Sequence, residues 1–242
     1  MFQLRTEPAS NLPYKLVLGT AQFGMNYGIA NRSGRVVQKE VSSILNFAWK
    51  NGIRCLDTAE AYGVSELVIG THLEAHPNQS WEIITKVRAT KDSVANQINS
   101  STKKLGIQPA VLLAHDTDSF LTSHFQEGLA KARDHGMISK LGVSLYRQDE
   151  IERVMAAKVP PEIIQLPMNI LDTRLYRNGV LTELNNQNIE IHVRSVFLQG
   201  LFYLTALELR DNFSEVIPYL DRLRSISESA NVSIAELSLL WL

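Results

Sequence analysis

The 242-residue sequence contains a single cysteine, Cys55, which excludes an internal disulfide. A lone thiol in an apolar stretch is typical of buried filler rather than of a nucleophile, and it fits a reducing compartment. No apolar run approaches the roughly 20 residues of a membrane span, and residues 1–16 lack the apolar segment of a signal peptide. These absences predict a cytoplasmic protein without a membrane partner.

The sequence also lacks an excess of charge of either sign. Its formal net charge is −1, with 20% charged and 45% apolar residues, and it has neither a basic stripe nor an acidic tail. Binding to nucleic acid through released counterions is therefore not indicated. The composition is that of an ordinary globular protein, and the length suits one α/β barrel domain.

Short apolar runs alternate with longer amphipathic stretches along the whole chain. The runs predict strands at residues 15–21, 53–59, 81–87, 110–116, 139–145, 162–170 and 189–197. The stretches predict helices at residues 38–52, 65–76, 91–106, 123–136, 148–158, 179–188, 213–230 and 233–242. Strands that are apolar on both faces need helices on both sides of a sheet or around a closed one.

A (β/α) barrel is the first interpretation of this alternation, and a doubly wound open sheet is the second. Against the second, the stretch "LGTAQFG" after the first strand does not have the GxGxxG pattern of a Rossmann phosphate loop. The sequence has no P-loop and no Cys/His pairing with zinc spacing, so no metal site is predicted.

Polar side chains stand at the ends of three successive predicted strands. Asp57, Lys86 and His115 end the second, third and fourth strands, and Tyr62 follows Asp57 by five residues. The carboxyl ends of barrel strands meet at one face, where the chemistry of such folds takes place. We therefore expect these four side chains to lie together.

This set of groups matches the acid half of a carbonyl reduction. A phenol has a reference pKa near 10 and is a weak acid at neutral pH, but a nearby ammonium favours its phenolate form. Asp57 would supply the counter-charge that a buried Lys86 needs. A neutral His115 could orient a carbonyl oxygen while Tyr62 protonates it. No side chain supplies a hydride, so a cofactor is required.

Each residue alone has a simpler interpretation. Asp57 could cap a strand end or form an ion pair, Tyr62 could be a packing residue, and His115 could be a satisfied core histidine. Lys86 at the end of an apolar strand is costly to bury unless it is paired. The joint placement at successive strand ends is what favours a site.

The stretches "LDTAEAYGVSE", "IITKV" and "LLAHD" resemble the aldo-keto reductases, over about residues 15–242. The resemblance implies a (β/α)8 TIM barrel with a catalytic Asp, Tyr, Lys and His. Tyr62 would be the general acid, Asp57 and Lys86 would tune it, and His115 would orient the substrate. It also implies a nicotinamide cofactor, NADPH with NAD as the alternative, bound without a Rossmann fold.

The resemblance extends to positions that would contact the cofactor. Ser144 and Gln165 match residues that bond the carboxamide, although Leu145 stands where the family often has Asn. Arg194 stands where the family usually stacks an aromatic ring on the nicotinamide, and a guanidinium can stack too. The full set of implied cofactor residues is Gly19, Thr20, Ser144, Gln165, Arg194, Ser195 and Gly200. Strand-end hydrogen bonding is the simpler alternative for Ser144 and Gln165.

The loop "GMNYGIANRSGRV" after the first strand should overhang the carboxyl-terminal face. Its neighbourhood contains Phe23 and Tyr27. Each aromatic could line a substrate pocket or pack the loop against the rim, and the sequence leaves both open.

Seven strands are predicted where the family has eight. We therefore expect residues 1–242 to form one (β/α) barrel domain that lacks its eighth strand and final helix. A C-terminal segment outside this sequence, a second chain or swapped segment, and a natural truncation without cofactor binding are the three explanations, and we favour the first. In each case the edge between strands one and seven should be open or filled by a neighbour.

The function predicted first is NADPH-dependent reduction of an aldehyde or ketone, with a sugar-type carbonyl compound as the small-molecule partner. The alternative is a catalytically silent barrel that serves as a binding or assembly module because its cofactor-phosphate site is incomplete. An aldolase that uses Lys86 as a Schiff-base nucleophile is a third, and a neighbouring Asp57 counts against it by keeping the amine charged.

Overall fold

The computed structural model describes residues 16–242. The prediction that residues 1–16 contain no signal peptide therefore lies almost wholly outside the described residues. The strands are β1 (Val17–Gly19), β2 (Cys55–Asp57), β3 (Glu82–Val87), β4 (Val111–Ala114), β5 (Lys140–Ser144), β6 (Ile163–Pro167) and β7 (Glu190–Arg194). The α-helices are α1 (Ala21–Gly24), α2 (Gln38–Lys50), α3 (Ser65–Ala75), α4 (Val94–Leu105), α5 (Thr117–Leu121), α6 (Ser123–Asp134), α7 (Gln148–Met155), α8 (Arg174–Arg177), α9 (Val180–Asn186), α10 (Ala206–Leu209), α11 (Ile217–Ala230) and α12 (Ile234–Leu240). Two 3₁₀ segments span Leu198–Tyr203 and Ser214–Val216.

The strands form one parallel sheet in the order of the sequence, from β1 to β7. In a flat sheet, the four spacings from β2 to β6 would separate these strands by about 19 Å. Yet Gln165 on β6 donates a hydrogen bond to Asp57 on β2, with 2.6 Å between Nε2 and Oδ2. The sheet must therefore curl, and it does so as the predicted barrel.

Alternation along the strands separates an inner from an outer apolar layer. The outer faces pack on the helices in two clusters, one around α2 and α3 and a larger one around α4 to α9. The inner layer fills the lumen below the carboxyl-terminal ends and consists of Cys55, Ile84, Val111, Leu113 and Ile163. Burial raises the pKa of the Cys55 thiol to about 12, which supports its interpretation as filler.

The sheet has two open edges. Within residues 16–242 no ladder joins β1 to β7, as expected from the seven strands that the sequence predicts. The first strand is not buried as its apolar run would suggest, since Leu16 is 50% exposed and Val17 38%. Among residues 16–242, β1 pairs with β2 alone, so no strand of that region covers its other edge.

Loops cross between the two edges, at the end of the barrel where the strands have their carboxyl termini, which we call the mouth. The loop of residues 25–37 reaches the segment that follows β7, where the Ile29 amide donates to the Gln199 carbonyl at 3.0 Å. Gly200 (φ +92°) lies against Ala30 and leaves no room for a Cβ. Arg32 forms an ion pair with Glu208 on α10. The predicted overhanging loop is thus tied to the opposite edge.

Most of the predicted strands and helices are confirmed, although they are shorter in the structure than predicted. The seventh strand ends at Arg194 instead of residue 197, because Ser195 has φ +62° and leaves the extended region. Helix α3 has Val64 in the N-cap position, and Ser65 is its first helical residue. None of the helices in the described part of the chain is long and apolar enough to cross a membrane.

Helices α3 and α4 pack so closely that adding one methyl group between them should destabilise the protein. A Cβ at Gly70 would overlap the carbonyl oxygen of Lys104 on the backbone of α4. Replacing glycine by alanine inside a helix normally stabilises by about 1 kcal/mol, whereas overpacking costs about 1–3 kcal/mol. We expect Gly70→Ala to lower the free energy of unfolding in urea, since the clash is with rigid backbone. Ser100→Ala on the exposed face of α4 is the control, and a stabilised Gly70→Ala would contradict the close contact.

Candidate active site

A buried ion pair lies at the centre of the mouth. The Lys86 side chain on β3 is 1% exposed, and its ammonium donates to Asp57 Oδ1 at the end of β2. The same ammonium donates to the Thr58 carbonyl at 2.9 Å and to the Tyr62 hydroxyl at 3.4 Å. The other carboxylate oxygen accepts from Gln165. Lys86 and Asp57 thus form the ion pair that a buried charge requires.

Tyr62 is held over this pair by the loop between β2 and α3. Its amide donates to the Ala59 carbonyl at 3.0 Å, and the Glu60 amide donates to the Lys86 carbonyl at 3.0 Å. The Lys86 ammonium lies 5.0 Å from the centre of the Tyr62 ring. The phenol is half-buried and therefore open to a ligand entering from the mouth.

His115 faces the phenol from the end of β4. The two rings are perpendicular, at 86°, with 6.0 Å between their centres. Burial, together with the positive charges of Lys86 and Arg88, lowers the pKa of His115 to about 4. The imidazole is therefore neutral at pH 7, with one N–H to donate.

The structure brings together the four side chains that the sequence placed at one site. Lysine contacts both aspartate and tyrosine, and histidine faces the tyrosine ring. An oxygen bound between phenol and imidazole would meet two uncharged donors, with the ammonium behind the phenol. Such an arrangement can polarise a carbonyl group and protonate an alkoxide.

The residues predicted for the carboxamide lie beside this site. Ser144 and Gln165 are partners in the register of β5 and β6, and both are buried. Among the residues that the structure describes, no donor reaches Gln165 Oε1. A buried acceptor next to a hydroxyl fits a primary amide such as the nicotinamide carboxamide. At Gly19, on the end of β1, a Cβ would meet nothing within 4 Å, so this position borders open space.

Arg194 forms the far wall of the mouth. Its guanidinium carbon lies 3.9 Å from the centre of the exposed Tyr146 ring, and it donates to the Leu145 carbonyl at 3.1 Å. Burial raises the pKa of the Tyr27 phenol, and Tyr27 lies near enough to Tyr62 and Arg194 for both to influence it. Of the two aromatics near the overhanging loop, Tyr27 thus borders the site, whereas Phe23 packs in the core with 4% exposure.

The backbone after β7 is strained. Ser195, Leu198 and Gln199 all have positive φ, between +46° and +62°, and none is glycine. Such strain persists where surrounding contacts hold it and often marks a functional site. Here the Asn169 side chain donates to the Ser195 carbonyl at 3.3 Å, and Gly200 packs on Ala30. Ser195 and Gly200, two of the predicted cofactor residues, thus lie in a constrained segment at the rim of the mouth.

Thr20 differs from the other predicted cofactor residues. Its side chain is fully buried and donates to the Asp57 carbonyl at 2.9 Å. It also accepts from Ser65, with 3.0 Å between the hydroxyl oxygens. In this structure the Thr20 hydroxyl is engaged within the protein.

Sequence reasoning did not identify three participants: the Thr58 carbonyl that accepts from Lys86, the Ser65 hydroxyl, and Tyr146 beneath Arg194. The first two lie inside the quoted stretch "LDTAEAYGVSE", so spacing alone could have placed them near the site. Nothing in the sequence relates Tyr146 to Arg194, because they come from different strand ends.

The ion pair leads to a prediction on stability. Removing one partner of a buried pair leaves an uncompensated charge, at a cost of about 3–5 kcal/mol. We expect Asp57→Asn to lower the free energy of unfolding by about 3 kcal/mol, measured in urea. The double variant Asp57→Asn/Lys86→Met should be more stable than Asp57→Asn alone. If the second substitution destabilises further, Lys86 is not held by that carboxylate.

The neutral His115 leads to a prediction on pH. Its pKa is about 4 in the folded protein but about 6.5 in an unfolded chain. Between these values the unfolded state binds more protons, so stability falls as the pH is lowered from about 6.5 to about 4. We expect the urea midpoint of His115→Gln to fall less over this range than that of the wild type. Equal losses in both proteins would contradict the burial of a neutral imidazole.

Comparison with known proteins identifies a curated enzyme that is similar in sequence. The chain is 26% identical over 192 residues to a D-threo-aldose 1-dehydrogenase from a Pseudomonas species, covering 62% of this chain and 56% of the relative. The chain therefore spans little more than half the length of that curated relative.

Solved structures show the same fold. A structure from Pseudomonas aeruginosa, described as an aldo-keto reductase, has 25% identity and a TM-score of 0.62, covering 76% of this chain and 74% of the other. An aldo/keto reductase from Klebsiella pneumoniae in complex with NADP and acetate has 17% identity and a TM-score of 0.70, covering 93% and 76%. Such neighbours are (β/α)8 barrels.

A sequence profile described as "Aldo/keto reductase family" matches residues 15–242. The match includes every strand of the sheet and all four side chains at the mouth. The chain therefore belongs to the aldo/keto reductase family.

Proposed function

We propose that this protein reduces an aldehyde or ketone to an alcohol with NADPH, and that Tyr62 is the general acid. The observation that carries the proposal is the position of one ammonium. Lys86 Nζ is paired with Asp57 and lies 3.4 Å from the Tyr62 hydroxyl. No simple packing role requires a phenol, an ammonium and an imidazole to converge on one accessible point.

Tyr62 transfers the proton. The substrate carbonyl oxygen lies between the phenol and His115, and it gains negative charge as the carbon is reduced. The phenol donates its proton to that oxygen, so the product is a neutral alcohol and Tyr62 is left as phenolate. The Lys86 ammonium stabilises the phenolate, because opposite charges a few ångströms apart attract strongly away from bulk water.

His115 orients the carbonyl without competing for the role of acid. With a pKa of about 4 it is uncharged at pH 7, and it donates a neutral N–H bond to the oxygen. Positioning of this kind holds the carbonyl in a geometry from which reaction can proceed.

NADPH supplies the hydride when it is bound. Gln165 and Ser144 would hold its carboxamide, Arg194 would lie against the nicotinamide, and Gly19 would leave space for it. Ser195 and Gly200 border the same region, and the Thr20 backbone lies next to it. The NADP complex of the Klebsiella relative supports the choice of cofactor.

A sugar-type carbonyl compound is the substrate that we propose. The name of the D-threo-aldose 1-dehydrogenase supports it, as do the hydroxyl-bearing Tyr27 and Tyr146 at the mouth. The aldolase alternative is disfavoured, because a Schiff base requires a neutral amine and the Lys86 amine is paired with a carboxylate.

Replacement of the phenol tests the proposal. A positioned general acid contributes about 10²–10⁴-fold, so Tyr62→Phe should lower kcat/KM for NADPH-dependent reduction of small aldehydes by at least about 100-fold. Affinity for NADPH, measured by isothermal titration, should stay within about twofold because the phenol acts in the chemical step.

Tyr219→Phe is the matched control, since Tyr219 is 63% exposed on α11, and it should reduce aldehydes like the wild type. Wild-type turnover by Tyr62→Phe would show that Tyr62 is not the acid. Absence of NADPH binding by the wild-type protein would contradict the reductase and favour the silent binding module.

A further inference from the structure

Three hydroxyl groups are buried directly beneath the loop that carries Tyr62. Thr20, Thr58 and Ser65 are each 0% exposed, and they come from the end of β1, the end of β2 and the start of α3. Burying a hydroxyl group is unfavourable unless it is hydrogen-bonded, and a small apolar residue would fill each of these positions at less cost. Their clustering therefore needs an explanation.

The hydroxyls form one directed chain of hydrogen bonds. Thr58 Oγ1 donates to Ser65 Oγ at 3.0 Å. Ser65 Oγ donates to Thr20, whose carbonyl and hydroxyl oxygens both lie at 3.0 Å. Thr20 Oγ1 donates to the Asp57 carbonyl at 2.9 Å. Each proton has an acceptor, and bonds in such a chain polarise and strengthen one another.

This network of hydrogen bonds holds the two ends of the loop of residues 58–65 together. The bond between Thr58 and Ser65 joins its two ends, and Tyr62 lies between them. Two residues of this network also touch the ion pair: the Thr58 carbonyl accepts from the Lys86 ammonium, and the Asp57 carbonyl that accepts from Thr20 belongs to the other member of the pair. A shift in these bonds would thus move the phenol and the ammonium relative to each other.

Gly24 also packs closely against the same loop, where Gly63 lies next to it. A Cβ at Gly24 would overlap the Tyr62 carbonyl oxygen, and a Cβ at Gly63 would overlap the Gly24 carbonyl oxygen. Gly63 also has φ +59°, which favours glycine. The Tyr62 loop is therefore fixed from beneath by hydroxyls and from the side by direct backbone contact.

We propose that Thr20, Thr58 and Ser65 are positioning residues, whose buried hydrogen bonds hold the Tyr62 phenol at its distance from Lys86 and His115. The inference rests on the reductase function proposed above. It assigns to Thr20 a role beneath the catalytic groups instead of against the cofactor.

The test compares isosteric and conservative changes at Thr58. Thr58→Val removes the hydroxyl and keeps the shape, whereas Thr58→Ser keeps the hydroxyl. Misplacement of a catalytic group by about 1 Å can cost about 100-fold. We expect Thr58→Val to lower kcat by at least about tenfold with NADPH affinity within about twofold, and Thr58→Ser to recover most of the loss.

A second measurement does not depend on activity. Tyrosine labelled with ¹³C at the ring carbon that bears the hydroxyl gives a Tyr62 resonance, assigned by its absence in Tyr62→Phe. It should be a single narrow signal in the wild type and Thr58→Ser, and broadened or split in Thr58→Val. If the wild type reduces no aldehyde, the proposed function fails, yet this resonance still tests the positioning.

Ser65→Ala is a second test variant, and Ser238→Ala is its matched control. Both serines lie in helices, with 0% and 1% exposure, and both donate to a backbone carbonyl, but Ser238 lies on α12. Only Ser65→Ala should lower kcat and disturb the Tyr62 signal, with folding checked by circular dichroism. Unchanged kcat and signal in Thr58→Val and Ser65→Ala would overturn the proposal, as would a loss that only follows the unfolded fraction.

Discussion

The ammonium of Lys86 is the constraint on which the rest of this structure depends. Moving such a group out of water costs several kcal/mol, and only good geometry with further hydrogen bonds can offset that cost. Here the offset comes from Asp57, the Thr58 carbonyl and the Tyr62 hydroxyl together. Because Gln165 holds the second oxygen of Asp57 from across the barrel, satisfying one charge fixes the positions of β2, β3 and β6 at the mouth.

The register of the sheet makes this convergence possible. Asp57, Lys86, Ser144 and Gln165 all point into the lumen, since each lies an even number of residues from an inward-facing apolar residue on its own strand or, for Ser144, from Gly142. A slip of one residue would turn each of them toward the helices. The apolar layer from Cys55 to Ile163 below them excludes water from one side of the site, which strengthens the electrostatic interactions above it.

The sequence was sufficient for the strand order and for the four convergent side chains, because both follow from local patterns: apolar runs, and polar residues at their ends. It was insufficient where the outcome depends on tertiary approach. The Gln165–Asp57 bond exists only because the sheet curls, and the partner of Ser65 lies 45 residues away on β1's end. The short helices α1, α5, α8 and α10 have four or five residues, too few for a helical period to be recognised. The cofactor residues stay predictions based on resemblance.

The Lys86 ammonium acts on both rings at the mouth. It donates a hydrogen bond to the Tyr62 hydroxyl and, after the larger effect of burial, its positive charge lowers the pKa of His115. The imidazole is therefore uncharged at pH 7 and would offer a bound carbonyl oxygen a neutral N–H. A charged imidazole would give up its proton more readily than a phenol and would compete for the role of acid. In the proposed reaction, an ammonium in contact with the phenol and near the imidazole would leave Tyr62 to transfer the proton and His115 to hold the oxygen in place.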